Sequence, residues 1–343
     1  MKRILIISVS LFFSLTLCAQ SIALCRDGET QIFRGNTAFT QAYEATLSGD
    51  TLYFSGGTFF PPASLNKELT LFGAGHYQDS TVVTGKTIIS GDLNLDTGAD
   101  NFHIEGFQIS GKIQVRDGNT ITGLTCKRNR ITSTIDFLGN QGNLCSNIAI
   151  IGSVFSGGNF ENAENTLVSN CIISNGNINN SLGNSFNNNI ILWSSSSHTT
   201  YLFNYSNNNT ISNNIIQREG SYSNHIVRGD GNVLNNNVFS HAEPNMGTNA
   251  TLSNNTQGVV LSELFTYQAG SAFDYAHNYH LEDETLYVGN DGKQIGIYGG
   301  AFPYKEGAVP KNPHFIEMNI SNTTTDQGEL PVKIKVSTQK EQD

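Results

Sequence analysis

Asn209-Thr210-Ile211-Ser212-Asn213-Asn214-Ile215-Ile216 has a near copy in Asn232-Val233-Leu234-Asn235-Asn236-Asn237-Val238-Phe239. Each unit holds two short strand-like runs on either side of an asparagine pair. Asparagine enters the left-handed backbone region more readily than other residues that carry a Cβ, so the pair marks a bend. Asn165-Thr166-Leu167-Val168-Ser169-Asn170-Cys171-Ile172 and Asn184-Ser185-Phe186-Asn187-Asn188-Asn189-Ile190-Ile191 are further copies. Looser ones begin at Asn119 and Asn147. Successive starts lie 18 to 28 residues apart.

One such unit cannot bury its own apolar side. Stacked units bury a continuous core and pair each strand in parallel with its copies above and below. A coil of this length suits a three-sided parallel β-helix, and stacked asparagines can hydrogen-bond along the axis as an amide ladder. Leucine-rich repeats need Leu at fixed offsets, which Ile, Val and Phe replace here. A β-propeller needs longer units and more tryptophan than Trp193 alone supplies. The expected fold is all-β: a right-handed parallel β-helix solenoid with a short N-terminal capping helix and a C-terminal cap and strand pair.

The organisation follows outward from the repeats. Residues 1–19 read as an export signal: Lys2 and Arg3, an apolar run from Ile4 to Leu17, then Leu17-Cys18-Ala19 before Gln20. The apolar run is short for a membrane span. Cys18 offers a lipoprotein alternative, disfavoured because Leu17 stands where a small residue is usual. Residues 20–50 form the N-terminal cap, with Asn36 as the N-cap of a weakly amphipathic helix reaching Leu47. Residues 51–255 are the coils. Residues 256–309 are C-terminal coils and cap, richer in Tyr, Phe and acids. Residues 310–343 are a terminal strand pair and tail, with alternating runs at 315–320 and 330–336.

The formal charge is −10, and it becomes −12 once Lys2 and Arg3 are removed. That sign argues against a nucleic-acid partner, which requires a basic face. No Gly-rich phosphate loop precedes a helix, so no nucleotide is expected. After cleavage Cys25, Cys126, Cys145 and Cys171 remain. Their spacing fits no zinc pattern, and three of them sit in apolar runs, as buried core thiols would. No metal and no cofactor are expected.

Two stretches carry a family resemblance. Ala42-Tyr43, Ser48-Gly49-Asp50-Thr51-Leu52-Tyr53-Phe54 and Gly57-Thr58-Phe59 resemble the opening of secreted right-handed parallel β-helix proteins, the pectate-lyase-like superfamily. Asp291-Gly292-Lys293-Gln294-Ile295-Gly296-Ile297-Tyr298-Gly299-Gly300, with Pro303 and Pro313 after it, is similar to endings in uncharacterised β-helix proteins of Bacteroidetes-type bacteria. The resemblance covers roughly residues 30 to 335 and implies the fold. It implies no single function, because that superfamily mixes lyases, hydrolases, epimerases and adhesins.

The residues show no hydrolase set of that superfamily: no adjacent aspartate pair, no Gly-His-Gly, no Arg-x-Lys. Asp96, Asp100, Asp117 and Asp136 fall in or near successive coils and read as turn aspartates. Lys112, Arg116, Lys127, Arg128 and Arg130 are a run of cations in adjacent coils, the candidate surface for an acidic glycan. A lyase would need such a base and a cation to neutralise the substrate acid, and calcium enters only under that alternative. Trp193, Tyr201, Phe203 and Tyr205 are candidate sugar-stacking rings, or simply a packed aromatic group. His198, His225 and His241 lack ligand spacing, and Arg228-Gly229-Asp230 reads as turn chemistry. The expected role is an exported, non-catalytic module that binds an acidic or neutral polysaccharide or another cell-surface component. A polysaccharide lyase and a structural stalk are the alternatives.

Overall fold

A computed structural model describes residues 20–338; the expected export signal at 1–19 lies outside them. The chain winds into a parallel β-solenoid. One side is a twelve-stranded sheet. It begins with the antiparallel strands Glu29–Arg34 and Ser21–Arg26 and continues through parallel strands from Asp50–Phe54 to Thr251–Ser253. The second side is a nine-stranded parallel sheet from Gly57–Phe59 to Val238–Phe239, one strand for each turn of the coil. The third side is built from a three-stranded and a five-stranded group.

Strands of two to seven residues are enough because each pairs on two sides. Alternate residues of the first sheet point inward. Leu52, Leu71, Ile104, Cys126, Ile150, Val168, Phe186, Ile211 and Leu234 form one buried column. Phenylalanines meet edge to face along the axis, as Phe54 does with Phe107 at 5.1 Å and Phe186 with Phe203 at 5.1 Å. The four cysteines among the described residues are free thiols; Cys126, Cys145 and Cys171 lie in this core.

The helix is shorter than the sequence suggests. It spans Ala38–Ala45, with Thr37 rather than Asn36 at the N-cap, and buries Ala38, Phe39 and Ala42. Arg26 clamps this cap to the first coil. It pairs with Asp50 and donates to the Ala45 carbonyl at 2.9 Å. That pairing holds the Asp50 carboxyl below the usual carboxylate range.

The asparagine pairs sit at the corner between the first and second sheets, and their two members do different work. The first member takes the left-handed conformation: φ is 55° at Asn188, 58° at Asn213, 53° at Asn236 and 52° at Asn254, and Asn170, followed by Cys171 instead of a second asparagine, does the same at 55°. The second member points inward and caps its neighbour. Asn189 donates its backbone N–H to Asn214 Oδ1 at 2.8 Å, Asn214 to Asn237 at 3.0 Å, and Asn237 to Asn255 at 3.0 Å. Their side-chain amides repeat the pattern at 3.0 Å each. A second ladder, Asn184–Asn209–Asn232, guards the corner that leads into the first sheet. Its members are at most 1% exposed.

The doubled apolar residues after each pair have a partner outside the coil. Ile191 and Ile216 point inward. Val154, Ile172, Ile190, Ile215 and Val238 point outward from the second sheet, yet they are buried. Leu261, Leu264, Phe265, Tyr279, Leu281, Ile295 and Ile297 cover them. Thr256 still bridges Val238 in parallel, but no later strand of residues 257–309 joins the sheets of the coils. These residues run back over the second sheet as a strap. A strand apolar on both faces demands a layer on both faces, and the strap supplies the outer one. Asn170 donates to the Ile297 and Gly299 carbonyls at 2.8 and 2.7 Å. The strap then reaches the first coils: Tyr275 donates to the His76 carbonyl at 3.1 Å, and Tyr77 and Tyr304 hydroxyls lie 2.8 Å apart. Pro310 packs on Gly106, where φ is +83° and a Cβ would collide with the proline ring. Beyond it, His314–Ile320 and Val332–Ser337 pair antiparallel.

Replacing Asn214 with Ala strips the Asn189 N–H of its acceptor inside the core. Chemical denaturation should show a loss of about 2–4 kcal/mol, since each buried group left unpaired costs about 1–3 kcal/mol. A loss below about 0.5 kcal/mol would mean that the ladder contributes nothing net.

Candidate functional site

The five cations read from the sequence do not share one face. Lys112 and Arg116 flank the strand Ile113–Val115 on the third side. Carboxylates of neighbouring coils neutralise both. Lys112 lies 3.7 Å from Asp136, and Arg116 pairs with Asp96. Asp100 accepts the Thr122 N–H at 2.8 Å, and Asp136 accepts the Asn159 N–H at 3.0 Å, as turn aspartates do. Arg130 points outward from the second sheet and lies under the strap. Its guanidinium sits 5.0 Å from the Phe273 ring centre and 4.6 Å from that of Tyr275.

Lys127 and Arg128 stand apart from these. Lys127 faces outward on the first sheet, directly beside Glu105 of the preceding coil. Arg128 occupies the corner position that asparagine fills in later coils, and it adopts the same left-handed backbone, with φ 53°. A long, Cβ-bearing residue is costly there. Its side chain is buried and ion-paired with Glu105, which His103 also approaches at 3.3 Å. Burial pushes the Glu105 carboxyl up, but His103, Arg128 and Lys127 outweigh it and hold it below the usual range. The strap brings Lys305 and Lys311 to the same corner. Burial first, and then the Arg128 charge, push the Lys305 ammonium down to about 8. Its Nζ is enclosed, with no hydrogen-bond partner among the described residues. Lys305 was not legible as a site residue, because its neighbours lie nearly 180 positions away in the chain.

An aromatic platform adjoins this corner. Tyr53 and Phe72 are cross-strand neighbours on the outer face of the first sheet, with ring centres 5.5 Å apart and planes at 20°. Phe72 meets His103 at 5.4 Å. Along the axis the outward column reads Tyr53, Phe72, Glu105, Lys127, Ile151, Ser169, Asn187, Ser212, Asn235 and Ser253. Tyr53 also lines an open cleft of about 930 Å³, walled by apolar residues that include Ile32, Val309, Phe315 and Met318.

The other aromatic candidates are engaged. Phe203 is a core residue. Arg218 lies 5.1 Å from the Trp193 ring, His225 stacks on Tyr201 at 4.2 Å, and Arg228 lies 4.1 Å from Tyr205. Among the described residues no group of three or more His, Cys, Asp or Glu could hold a metal ion. None of their helices is long and apolar enough to cross a membrane, which says nothing of β-barrels.

No protein-family model, no curated protein and no solved structure matches this chain. The site must therefore be read from its own chemistry.

His76 shows what the strap does to charge. It is fully buried beneath Tyr275, and burial, together with Arg130 and Lys86, lowers its pKa from 6.5 to about 3. The unfolded chain therefore binds a proton between pH 6.5 and 3 that the folded chain refuses. Stability should fall as pH drops through that window, by up to about 1.4 kcal/mol per pH unit from this group. Comparing denaturation midpoints of wild type and His76→Asn across pH 7 to 4 checks it. The variant should lose part of the slope, and an unchanged slope would remove His76 from the account.

Proposed function

We propose that this chain is an exported recognition module that binds a polysaccharide along the outer face of its first sheet, without cleaving it. The observation that carries the reading is the outward column. An aromatic platform, Tyr53–Phe72–His103, leads to the half-buried Lys127, and farther along the same column Asn187, Asn235 and Ser253 stay accessible while Glu105, Ile151, Ser169 and Ser212 are buried. Flat rings offer apolar contact to one face of a sugar, and the accessible polar side chains offer hydrogen bonds to its hydroxyls. The adjacent cations favour a glycan that carries acid groups. Export is supported by Lys2, Arg3 and the apolar run Ile4–Leu17. The resemblance to pectate-lyase-like proteins and to Bacteroidetes-type β-helix proteins agrees with a carbohydrate setting.

The lyase reading draws on Lys305, an amine moved toward neutrality beside an arginine. Its enclosed Nζ argues against a base that must reach a polymer. Asp96 and Arg116 satisfy each other on a different side of the coil and do not converge with it.

The purified chain from Gln20 onward should bind at least one acidic polysaccharide in a panel of acidic and neutral glycans. No new reducing or unsaturated ends should form, with or without calcium. Tyr53→Ala with Phe72→Ala should weaken that binding roughly tenfold, about 1.4 kcal/mol. New ends would make the chain an enzyme, and silence across the panel would favour a stalk.

A further inference from the structure

The terminal hairpin is sorted by face. Its register pairs Phe315 with Val336, Met318 with Ile334 and Ile320 with Val332, while Glu317 meets Lys335 and Asn319 meets Lys333. Cross-strand partners share a face, so one side of the ribbon is apolar and the other polar. The six apolar side chains are 45–54% exposed. A two-stranded ribbon is marginal alone in water, and a contiguous apolar face of this kind marks a binding surface. Phe315, Met318 and Ile320 line the open cleft of about 930 Å³, so the apolar face turns toward it. The opposite wall belongs to the solenoid: Ala23, Ile32 and Tyr53 of the first strands, with Val83 beside them. Two apolar walls of one chain thus look at each other across open space.

The cleft itself selects the occupant. It is concave, and its volume lies in the range of small-molecule sites, roughly 300–1,000 Å³. A second protein needs a broad face of about 800 Å² per partner, which a gap between two walls of one chain does not offer. Among the described residues that line it there is no Lys, Arg, Asp or Glu. The charges of the ribbon sit on its other face, where Lys333 meets Glu317 at 2.6 Å. A charged ligand would lose its hydration in the cleft without gaining a counter-charge. One polar atom is unused. His314 lines the cleft, and its Nδ1 is buried with no hydrogen-bond partner among the described residues. Such an atom calls for a partner.

We propose that this cleft binds a neutral amphiphile, a small molecule with an apolar aliphatic or ring body and one uncharged hydroxyl head. The body lies between the ribbon and the first strands, and the hydroxyl meets His314 Nδ1. The ligand supplies the layer that the apolar face of the ribbon lacks, so it also fixes the ribbon against the solenoid. The site does not rest on the glycan reading. Tyr53 borders both surfaces, so the variants below leave it untouched.

The test uses the chain from Gln20 onward. Nile red, a neutral apolar dye, should brighten on binding, and decanol should displace it. Ile32→Asp and Met318→Asp, one on each wall, should each weaken decanol about tenfold, because a carboxylate would stand where the apolar body lies. Both side chains are already 44% and 46% exposed, so the coils should fold as before. His314→Leu should weaken decanol about fivefold, the share of one hydrogen bond. A second readout uses the wild type alone: decanol should slow amide hydrogen exchange in residues 314–337 and leave that of the strands Ile190–Ser194 and Ile215–Glu219 unchanged. No displacement by decanol, unchanged exchange in 314–337, or undiminished binding in any of the three variants would overturn the site. A concentration-dependent dimer that Met318→Asp dissolves would mean that a second copy fills the cleft, and would overturn it too.

Discussion

A backbone that turns a tight corner every few residues exposes N–H groups that no strand can satisfy. In this protein they face the core, where an unpaired donor costs about 1–3 kcal/mol. The asparagine side chain resolves the problem with one group. Its carbonyl oxygen accepts the N–H of the preceding coil, and its amide donates to a main-chain carbonyl there, as Asn214 does to Phe186 at 2.8 Å. The next coil needs the same service, so asparagine recurs. The strands and the core column follow from that register, because each ladder fixes the height of one coil on the next.

The corner also explains how the surface is apportioned. On the outer face of the first sheet the row from Thr51 through Thr125 to Thr251 is half-buried or exposed, whereas Glu105, Ile151, Ser169 and Ser212 of the neighbouring row are buried. The second sheet is covered on both faces as far as the strap's apolar residues reach. At Arg130 the apolar column gives way to a cation, and the strap answers with Phe273 and Tyr275 rather than aliphatic residues.

The coils were legible because one physical requirement repeats in the sequence with a recognisable residue. The asparagine pairs at 188–189, 213–214 and 236–237 mark the same corner each time, and the left-handed first member follows from the residue type. The strap was not foreseen, although its signal was present. Ile190-Ile191 and Ile215-Ile216 place adjacent apolar residues on opposite faces of a strand, and so called for a second layer. The candidate cations were legible as a group in the sequence but not as a surface. Lys112 and Lys127 are 15 residues apart, less than one coil, and stand on different sides of it. Lys305 could not be found at all, because what defines it is proximity across the strap.

The strap changes the kind of object this solenoid is. A stack of coils held by nearest neighbours can fray from an end and melt piece by piece. Here Tyr275 reaches His76 across 199 positions of chain, and the strap crosses the intervening coils on its way. The first coils are complete when residues 256–309 have closed over them. The strap is therefore a latch: coils that would otherwise touch only their neighbours are tied into one unit where it closes over them.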